Sequence, residues 1–357
     1  MFVLIVVFLI ILTLLIGIYD FLGRKMTIKE LDKKAVLITG CGSGFGRDLV
    51  KRCLLNGLTV FAGCRREIVT SKNCASLQSV KELEESYGSI SQGRLYAFQM
   101  DVADDESVRK SRKLVDSVLR EKGLVLHALV NNAAMRGNIF YDDFLILDDY
   151  KEIWNVNMLG VVRVTQTFRD LIKQSRGRII MCNTGFLLFA IPGHSPYTAS
   201  KYALHGYTNV IRHELQPYGV EVIELVPGAF ETGIQNMEDV SNMINTVWHR
   251  ASQEQRDEIG NDYCREAQAF FKKMRPMILV KDTTCVIDAY YEAIVAKRPK
   301  LLYRIGRDVL FKYHPYSFLP ISLQLQIMNF LMYITGAPLP AVQKQNKRLQ
   351  NAECKTD

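Results

Sequence analysis

Lys34-Ala35-Val36-Leu37-Ile38-Thr39-Gly40-Cys41-Gly42-Ser43-Gly44-Phe45-Gly46 is the stretch from which the rest of the chain is read. Residues 35–39 make an apolar run without polar alternation, the pattern of a strand buried on both faces. Glycine then recurs at 40, 42, 44 and 46, and a helix pattern follows over 47–56. Glycines permit a tight turn and let backbone N–H groups approach a pyrophosphate at a helix N-terminus. A glycine-rich loop alone is a weak signal. Between a first strand and a helix it meets the context of a dinucleotide site.

Downstream the alternation repeats. Strands are predicted over 59–63 and 94–99, with an exposed helix over 73–87 between them. Asp104 and Asp105 are placed to cap an amphipathic helix running to Glu121. A strand over 126–130, a long helix over 150–174, a strand over 178–182, a helix over 197–218 and a sixth strand over 221–226 follow. Apolar strands alternating with helices predict an α/β unit, a doubly wound parallel sheet with helices on both faces. From 233 to 280 the pattern is helical, polar and irregular, and 301–305 returns as a last strand.

Residues 1–18 are apolar apart from Thr13 and Gly17, close to the ~20 residues that span a bilayer. The reading is an uncleaved transmembrane anchor over 1–23. A cleaved signal peptide, the competing reading, would carry a basic segment ahead of a shorter run and a small-residue cleavage site. Arg24, Lys25, Lys29, Lys33 and Lys34 follow the run, which by the positive-inside rule puts the next domain in the cytosol. Residues 318–339 are also apolar, but Pro320, Gln324, Gln326 and Asn329 interrupt them. An embedded amphipathic segment fits better there than a second span, whether it covers a substrate site, docks on a membrane or closes the core. The formal net charge of +8 is dispersed, with no nucleic-acid motif or stacking platform, so anionic lipid headgroups are expected rather than nucleic acid. The eight cysteines (Cys41, Cys53, Cys64, Cys74, Cys182, Cys264, Cys285, Cys354) show no paired metal-ligand spacing and read as reduced.

Tyr197-Thr198-Ala199-Ser200-Lys201 places a tyrosine and a lysine four apart, on one face of a predicted helix. A phenol titrates near pH ~10, and a neighbouring cation lowers that value toward the range useful for acid/base work. Alone, such a pair is more often a ring against a lysine stem. Its company changes the reading. Thr39-Gly40-x-x-x-Gly44-x-Gly46, Asn131-Asn132-Ala133-Ala134 and Tyr197-x-x-x-Lys201, in this order, resemble the short-chain dehydrogenase/reductase family. Asn155-Val156-Asn157-Met158-Leu159-Gly160, Arg212-His213-Glu214-Leu215, Pro227-Gly228-Ala229-Phe230-Glu231-Thr232 and the character of 313–340 resemble its membrane-bound retinol dehydrogenase and 17β-hydroxysteroid dehydrogenase branch.

The resemblance implies a Rossmann-type domain over 34–310, with a substrate-binding cap over 233–300 and an apolar segment with a polar tail over 311–357. It implies that Gly40, Ser43, Gly44, Phe45 and Gly46 line the pyrophosphate turn. Asp101 and Val102 would contact the adenine, Asn131 would brace the cofactor side of the sheet, and Thr232 would hold the carboxamide. Tyr197 would be the general acid or base, and Lys201 would lower its pKa and hold the nicotinamide ribose. Asn157 would support a water relaying protons to Lys201. The plainer readings are a capped loop for Asp101 and ordinary helix polarity for Asn157.

One departure matters. The family expects a serine at the end of the fifth strand, and this chain reads Met181-Cys182-Asn183-Thr184-Gly185. Thr184 takes that place if Gly193-His194-Ser195-Pro196 is one residue longer than usual. Its hydroxyl can bond a substrate oxygen, while its methyl adds bulk and stiffens χ1. Retained activity with narrower substrate acceptance is expected, with Asn183 as the fallback donor. Ser195 and His194 lie too near Tyr197 in sequence for that role, though either could touch substrate. Ala134, where many relatives have glycine, is a milder departure. The second strand ends Gly63-Cys64-Arg65-Arg66. An acid there would suit the ribose diol of NAD, whereas Arg65 can pair with a 2′-phosphate. NADP(H) is therefore expected over NAD(H), against the plainer reading of a solvated surface pair.

The function expected is a membrane-anchored oxidoreductase moving a hydride between NADP(H) and a lipophilic alcohol or ketone such as a steroid, sterol or retinoid. The resemblance places it at the endoplasmic reticulum, with the catalytic domain facing the cytosol, and admits a homodimer. The rival, motivated by Thr184, is a catalytically weak cofactor- and lipid-binding scaffold.

Overall fold

The computed structural model describes residues 2–65, 78–232 and 237–341. Helix α1 (Phe2–Lys25) precedes β1 (Lys34–Thr39), α2 (Gly44–Leu55), β2 (Thr59–Cys64), α3 (Gln78–Ser91) and β3 (Leu95–Gln99). Then come α4 (Asp105–Lys122), β4 (Val125–Asn131), α5 (Leu147–Trp154), α6 (Val161–Ser175), β5 (Arg178–Cys182), α7 (Ser195–Leu215) and β6 (Glu221–Pro227). The last third holds α8 (Met237–Arg250), α9 (Gln253–Ile259), α10 (Tyr263–Ile278), α11 (Thr284–Val295), β7 (Leu302–Ile305), α12 (His314–Tyr316) and α13 (Ile321–Thr335).

The strands form one parallel seven-stranded sheet in the order β3-β2-β1-β4-β5-β6-β7. The two-residue period of β1 divides its side chains between two cores. Val36 and Ile38 pack with Leu49 and Leu54 of α2 and Ile287 and Ile294 of α11. Ala35 and Leu37 pack on the other face with Val115 of α4, Phe168 of α6 and Leu204 of α7. Each such apolar side chain, fully buried, contributes about 1.5–3 kcal/mol. Strand order reverses between β1 and β4, so their C-terminal ends open a crevice, the usual ligand position in such sheets.

Local chemistry explains the helix ends. Asp104 caps α4, accepting from the Glu106 N–H at 3.0 Å, and Gly123 in the left-handed region (φ 64°) ends it. The single helix expected over 150–174 is instead α5, a π-helical turn over Asn155–Gly160, and α6. The wide turn carries Asn157, whose side chain bonds the Met135 backbone, a contact to which apolar periodicity is blind. The irregular region after β6 resolves into α8, α9 and α10. Val240, Ile244, Val247 and Tyr263 there share a third small core with Phe140 and Phe144 from the loop after β4. Nothing in the sequence reading marks α11. It is buried under the sheet through Val286, Ile287, Tyr290, Ala293 and Ile294.

Two apolar segments stand apart from these cores. Helix α13 has no buried residue, and Phe318, Ile321, Leu325, Phe330 and Tyr333 are exposed there or just ahead of it. Helix α1 is tied down at its C-terminal end, where Arg298 pairs with Asp20 and lies 4.0 Å from the Tyr19 ring centroid. The side chains of residues 1–11, 14 and 16 lie outside the described residues. Among the described residues no helix is long and apolar enough to cross a membrane. Cys41, Cys53, Cys64, Cys182, Cys264 and Cys285 are free thiols, while Cys74 and Cys354 fall outside the described residues.

Candidate active site

Glycine shapes the crevice between β1 and β4. Gly40 sits at φ +72°, and a Cβ there would lie 2.8 Å from the Ala133 Cα. At Gly46 a Cβ would come within 2.7 Å of the Asn132 amide nitrogen. Ser43, the N-cap of α2, is exposed and makes no side-chain cap, so the first-turn N–H groups have no side-chain acceptor among the described residues. An anion would satisfy them. Gly44 turns the chain at φ +56°. The Phe45 ring packs against Phe230 (6.0 Å between centroids) and Tyr290 (6.5 Å), leaving its backbone to the turn.

The two strand ends are stapled together. Thr39 Oγ1 accepts from the Asn132 and Ala133 N–H groups, both at 3.0 Å, and the Asn132 amide donates to Thr39 O (3.0 Å) and Gly40 O (3.2 Å). Tyr290 donates to Asn132 Oδ1 at 3.3 Å. Asn132 was visible in the Asn-Asn pair, but Tyr290 comes from a helix with no motif. Asn131 is buried and donates to Thr165 Oγ1 at 3.0 Å. Arg65 is exposed at the end of β2, with no carboxylate partner among the described residues. Asp101 follows β3, and its Oδ1 accepts from the Ala103 N–H at 2.9 Å, which is the capped-loop geometry. Buried Val102 beside it gives its carbonyl to Arg163 Nη1 at 2.6 Å. Thr232 is half-buried in the loop after β6, whose next four residues lie outside the description. A glycine cradle, an open helix N-terminus and an exposed arginine at the end of β2 fit a dinucleotide.

Across the crevice, α7 brings Tyr197 and Lys201 to the end of β5. Lys201 is 2% exposed, and its Nζ donates to Cys182 O at 2.8 Å while lying 5.9 Å from the Tyr197 ring centroid. Burial lowers the Lys201 pKa, opposed by Cys182 and Glu224. Tyr197 keeps part of its surface accessible, but its hydroxyl end is deep enough that burial pushes its pKa up to about 12; Cys182 adds to this, while a Thr184 hydrogen bond and the Arg136 charge pull it down. The expected direction is thus reversed in the protein alone, because desolvation of the phenolate outweighs the Thr184 hydrogen bond and the Arg136 charge. Asn157 is fully buried; its Oδ1 accepts from Met135 N–H (2.8 Å) and its amide donates to Met135 O (2.9 Å) and Ser200 Oγ (3.1 Å).

Thr184 faces Tyr197 and caps the short turn at Gly185–Leu187, accepting from the Phe186 N–H at 3.4 Å. Asn183 is no longer a fallback, since its amide is spent on Glu224 Oε1 (2.6 Å) and Lys201 O (3.2 Å). Ser195 is likewise committed, to Asp142 Oδ1 at 3.0 Å and Tyr150 at 2.9 Å. His194 is buried, with Nε2 2.7 Å from Arg136 Nη2. A guanidinium only donates, so that nitrogen accepts and Nδ1 carries the hydrogen facing Pro192 O at 3.2 Å. Burial and the Arg136 charge depress the His194 pKa to about 3, so the pair carries one positive charge. Phe186 lies edge-on to both His194 (5.4 Å) and Tyr197 (5.9 Å), giving the cleft an aromatic wall. Arg136 is a residue that sequence reading passed over, having no motif of its own. Two surface clefts of about 410 and 480 Å³ lie along α6 and beside α10, and neither includes Tyr197 or Lys201.

This arrangement can exchange a proton with an oxygen held by Thr184 and Tyr197, beside a cradle for a dinucleotide. The chain belongs to the short chain dehydrogenase family, whose model matches residues 34–241. Within it, the chain stands with the hydroxysteroid and retinol dehydrogenase branch of oxidoreductases. It is 35% identical over 349 residues to a 3beta-hydroxysteroid dehydrogenase of Caenorhabditis elegans, covering 96% of this chain and 87% of the relative. Human retinol dehydrogenase 16 is 29% identical over 333 residues, covering 92% and 98%. Among solved structures, a short chain dehydrogenase/reductase from Burkholderia phymatum in complex with NAD shares the fold at a TM-score of 0.61 and 21% identity, covering 84% of this chain and 97% of that one.

Proposed function

We propose that this protein is a membrane-associated, NADP(H)-preferring oxidoreductase for a lipophilic alcohol or ketone of the steroid, sterol or retinoid class. The observation that carries it is the meeting of Tyr197, Thr184 and Lys201 at the end of β5, opposite the glycine cradle. Gly40, Ser43, Gly44, Phe45 and Gly46 would hold the pyrophosphate through backbone N–H groups, with Asp101 and Val102 at the adenine and Thr232 at the carboxamide. Arg65, exposed and without a carboxylate partner among the described residues, favours a 2′-phosphate. A bound nicotinamide cofactor supplies or accepts the hydride.

Thr184 and Tyr197 orient the substrate oxygen, and Tyr197 gives or takes its proton. Lys201 would hold the cofactor ribose and counter the phenolate, and Asn157, bonded to Met135 and Ser200, would support a water relaying protons to Lys201. The domain extends over 34–310; of the segment 233–300, α8, α9 and α10 would form its substrate cap, while α11 packs under the sheet as part of the main core. The exposed apolar surface of α13 and the run in α1 favour a bilayer as the source of a greasy substrate. Tyr313 and Tyr316 pack on Phe189 (4.8 and 4.7 Å between centroids), linking that segment to the loop after Thr184. The apolar run supports an anchor over 1–23, the basic residues after it support the cytosolic side for the domain, and the resemblance to the membrane-bound branch supports the endoplasmic reticulum.

The test is turnover by purified protein with NADPH or NADP+ and a panel of ketosteroids, hydroxysteroids, retinal and retinol. Tyr197→Phe should lower kcat roughly 10²–10⁴-fold while cofactor still binds. Binding without turnover, unimproved by Thr184→Ser, would favour the scaffold reading.

A further inference from the structure

The loops after β6 and β7 leave the sheet side by side, with Pro227 in register with Ile305 and the Gly228 N–H donating to Ile305 O at 2.8 Å. The first of them runs on to Thr232. Asp308, in the second, is half-buried and has no cation partner among the described residues. It stands at the start of the π-helical turn Val309–Tyr313, where an aspartate ordinarily accepts from the first N–H groups of its own helix. It makes no such bond. Its Oδ2 accepts instead from the Ala229 N–H of the neighbouring loop, at 2.8 Å.

Two glycines are shaped around that carboxylate. Gly228 is outside the left-handed region, so its backbone would accept a side chain. The three atoms that a Cβ there would meet first all belong to Asp308, both oxygens included, and all lie within 3.0 Å. A Cβ at Gly306 would run into the same Oδ1. Ala229 is tied at its other end too, its carbonyl accepting from the Val280 N–H at 2.9 Å, while the Glu231 N–H donates to Val280 O at 2.9 Å. The turn that Asp308 begins reaches across the cleft. Val309 Cγ2 and Tyr313 Cδ2 lie 3.1 and 3.0 Å from where a Cβ at Gly185 would stand, in the short turn capped by Thr184. One stretch, Asp308 to Tyr313, thus touches both the loop leading to Thr232 and the turn leading from Thr184.

We propose that Asp308 is a positioning residue for the nicotinamide end of the cofactor: by holding the Ala229 N–H it seats the loop that carries Thr232 at a fixed spacing from Thr184. This rests on the oxidoreductase reading above, in which Thr232 would meet the carboxamide. Phe230 anchors the same loop in the core beside Phe45, through apolar contact alone. Arg65 ends β2, four places from β6 in the sheet. The adenine end of the site should therefore not feel a change at Asp308.

The probes are NADPH and 2′-phospho-ADP-ribose, which is the cofactor without its nicotinamide ring, each titrated by calorimetry. Asp308→Ala should weaken NADPH about tenfold and 2′-phospho-ADP-ribose by less than about twofold. Asp308→Asn can keep an oxygen on the Ala229 N–H and should recover most of the loss. Gly228→Ala drives a methyl into the carboxylate, so it should show the same selectivity in a chain that keeps Asp308. That variant carries the test even where Asp308→Ala does not fold. Combined with Asp308→Ala it has no carboxylate left to displace, and the two penalties should not add. Equal loss of both probes, an unmoved NADPH affinity in Asp308→Ala, no recovery in Asp308→Asn, or additive penalties would overturn the role. A wild type that binds neither probe would sink the oxidoreductase reading instead.

Discussion

The two halves of the cleft are held by different physics. Above β1 and β4 the work falls to backbone groups and glycines, with Thr39, Asn132 and Tyr290 tying the strand ends together by hydrogen bonds. Above β5 and β6 it falls to buried polar and charged groups: Lys201 on the Cys182 carbonyl, Arg136 against a neutral His194, and a phenol whose pKa is raised by burial. The first half tolerates almost no added volume, because a Cβ at Gly40 or Gly46 meets backbone or Asn132. The second has hydroxyls and charges whose strength depends on how dry they are. One half is a steric mould and the other an electrostatic balance, so they should fail in different ways.

Among changes that leave Tyr197 in place, Gly46→Val gives the largest expected effect. Its side chain would enter the space held by Gly40 O and Asn132, and NADPH affinity should fall more than tenfold at every pH, read by fluorescence titration. An unchanged affinity would mean that the crevice is not the cofactor site. Arg65→Asp leaves the mould intact and changes only charge. The NADP+ to NAD+ ratio of kcat/KM should drop by about tenfold, equivalent to ~1.4 kcal/mol. An unmoved ratio would return Arg65 to the solvated surface. Arg136→Leu is the subtlest. Arg136 pulls the Tyr197 pKa down, so its removal should raise that pKa further and move the oxidation profile of kcat/KM to higher pH, by less than about one unit. A loss equal at all pH would place Arg136 in the scaffold of the cleft rather than in its electrostatics.

Legibility followed the same division. The strands, the glycine turn, the Asp104 cap and the Tyr197–Lys201 pair were readable because each depends on neighbours within a few residues. The π-helical turn at Asn157 was not, since it is fixed by Met135, twenty-two residues away. Helix α11 carries an apolar stripe at 286, 287, 290, 293 and 294, left unassigned in the sequence reading because its partner, the underside of the sheet, is far along the chain. Arg136 and Glu224 carry no motif, and their partners His194 and His205 lie far along the chain. Asn183 read as a free donor until its bonds to Glu224 and Lys201 were seen.

By itself the sequence determined the parallel α/β sheet, the glycine turn after its first strand and the family, because apolar periodicity, glycine and helical spacing act over short range. Only the tertiary structure decided how dry each ionisable group of the site is. Desolvation depends on everything that surrounds a group, and it turned the pKa of Tyr197 upward where the cation four residues on had pointed down.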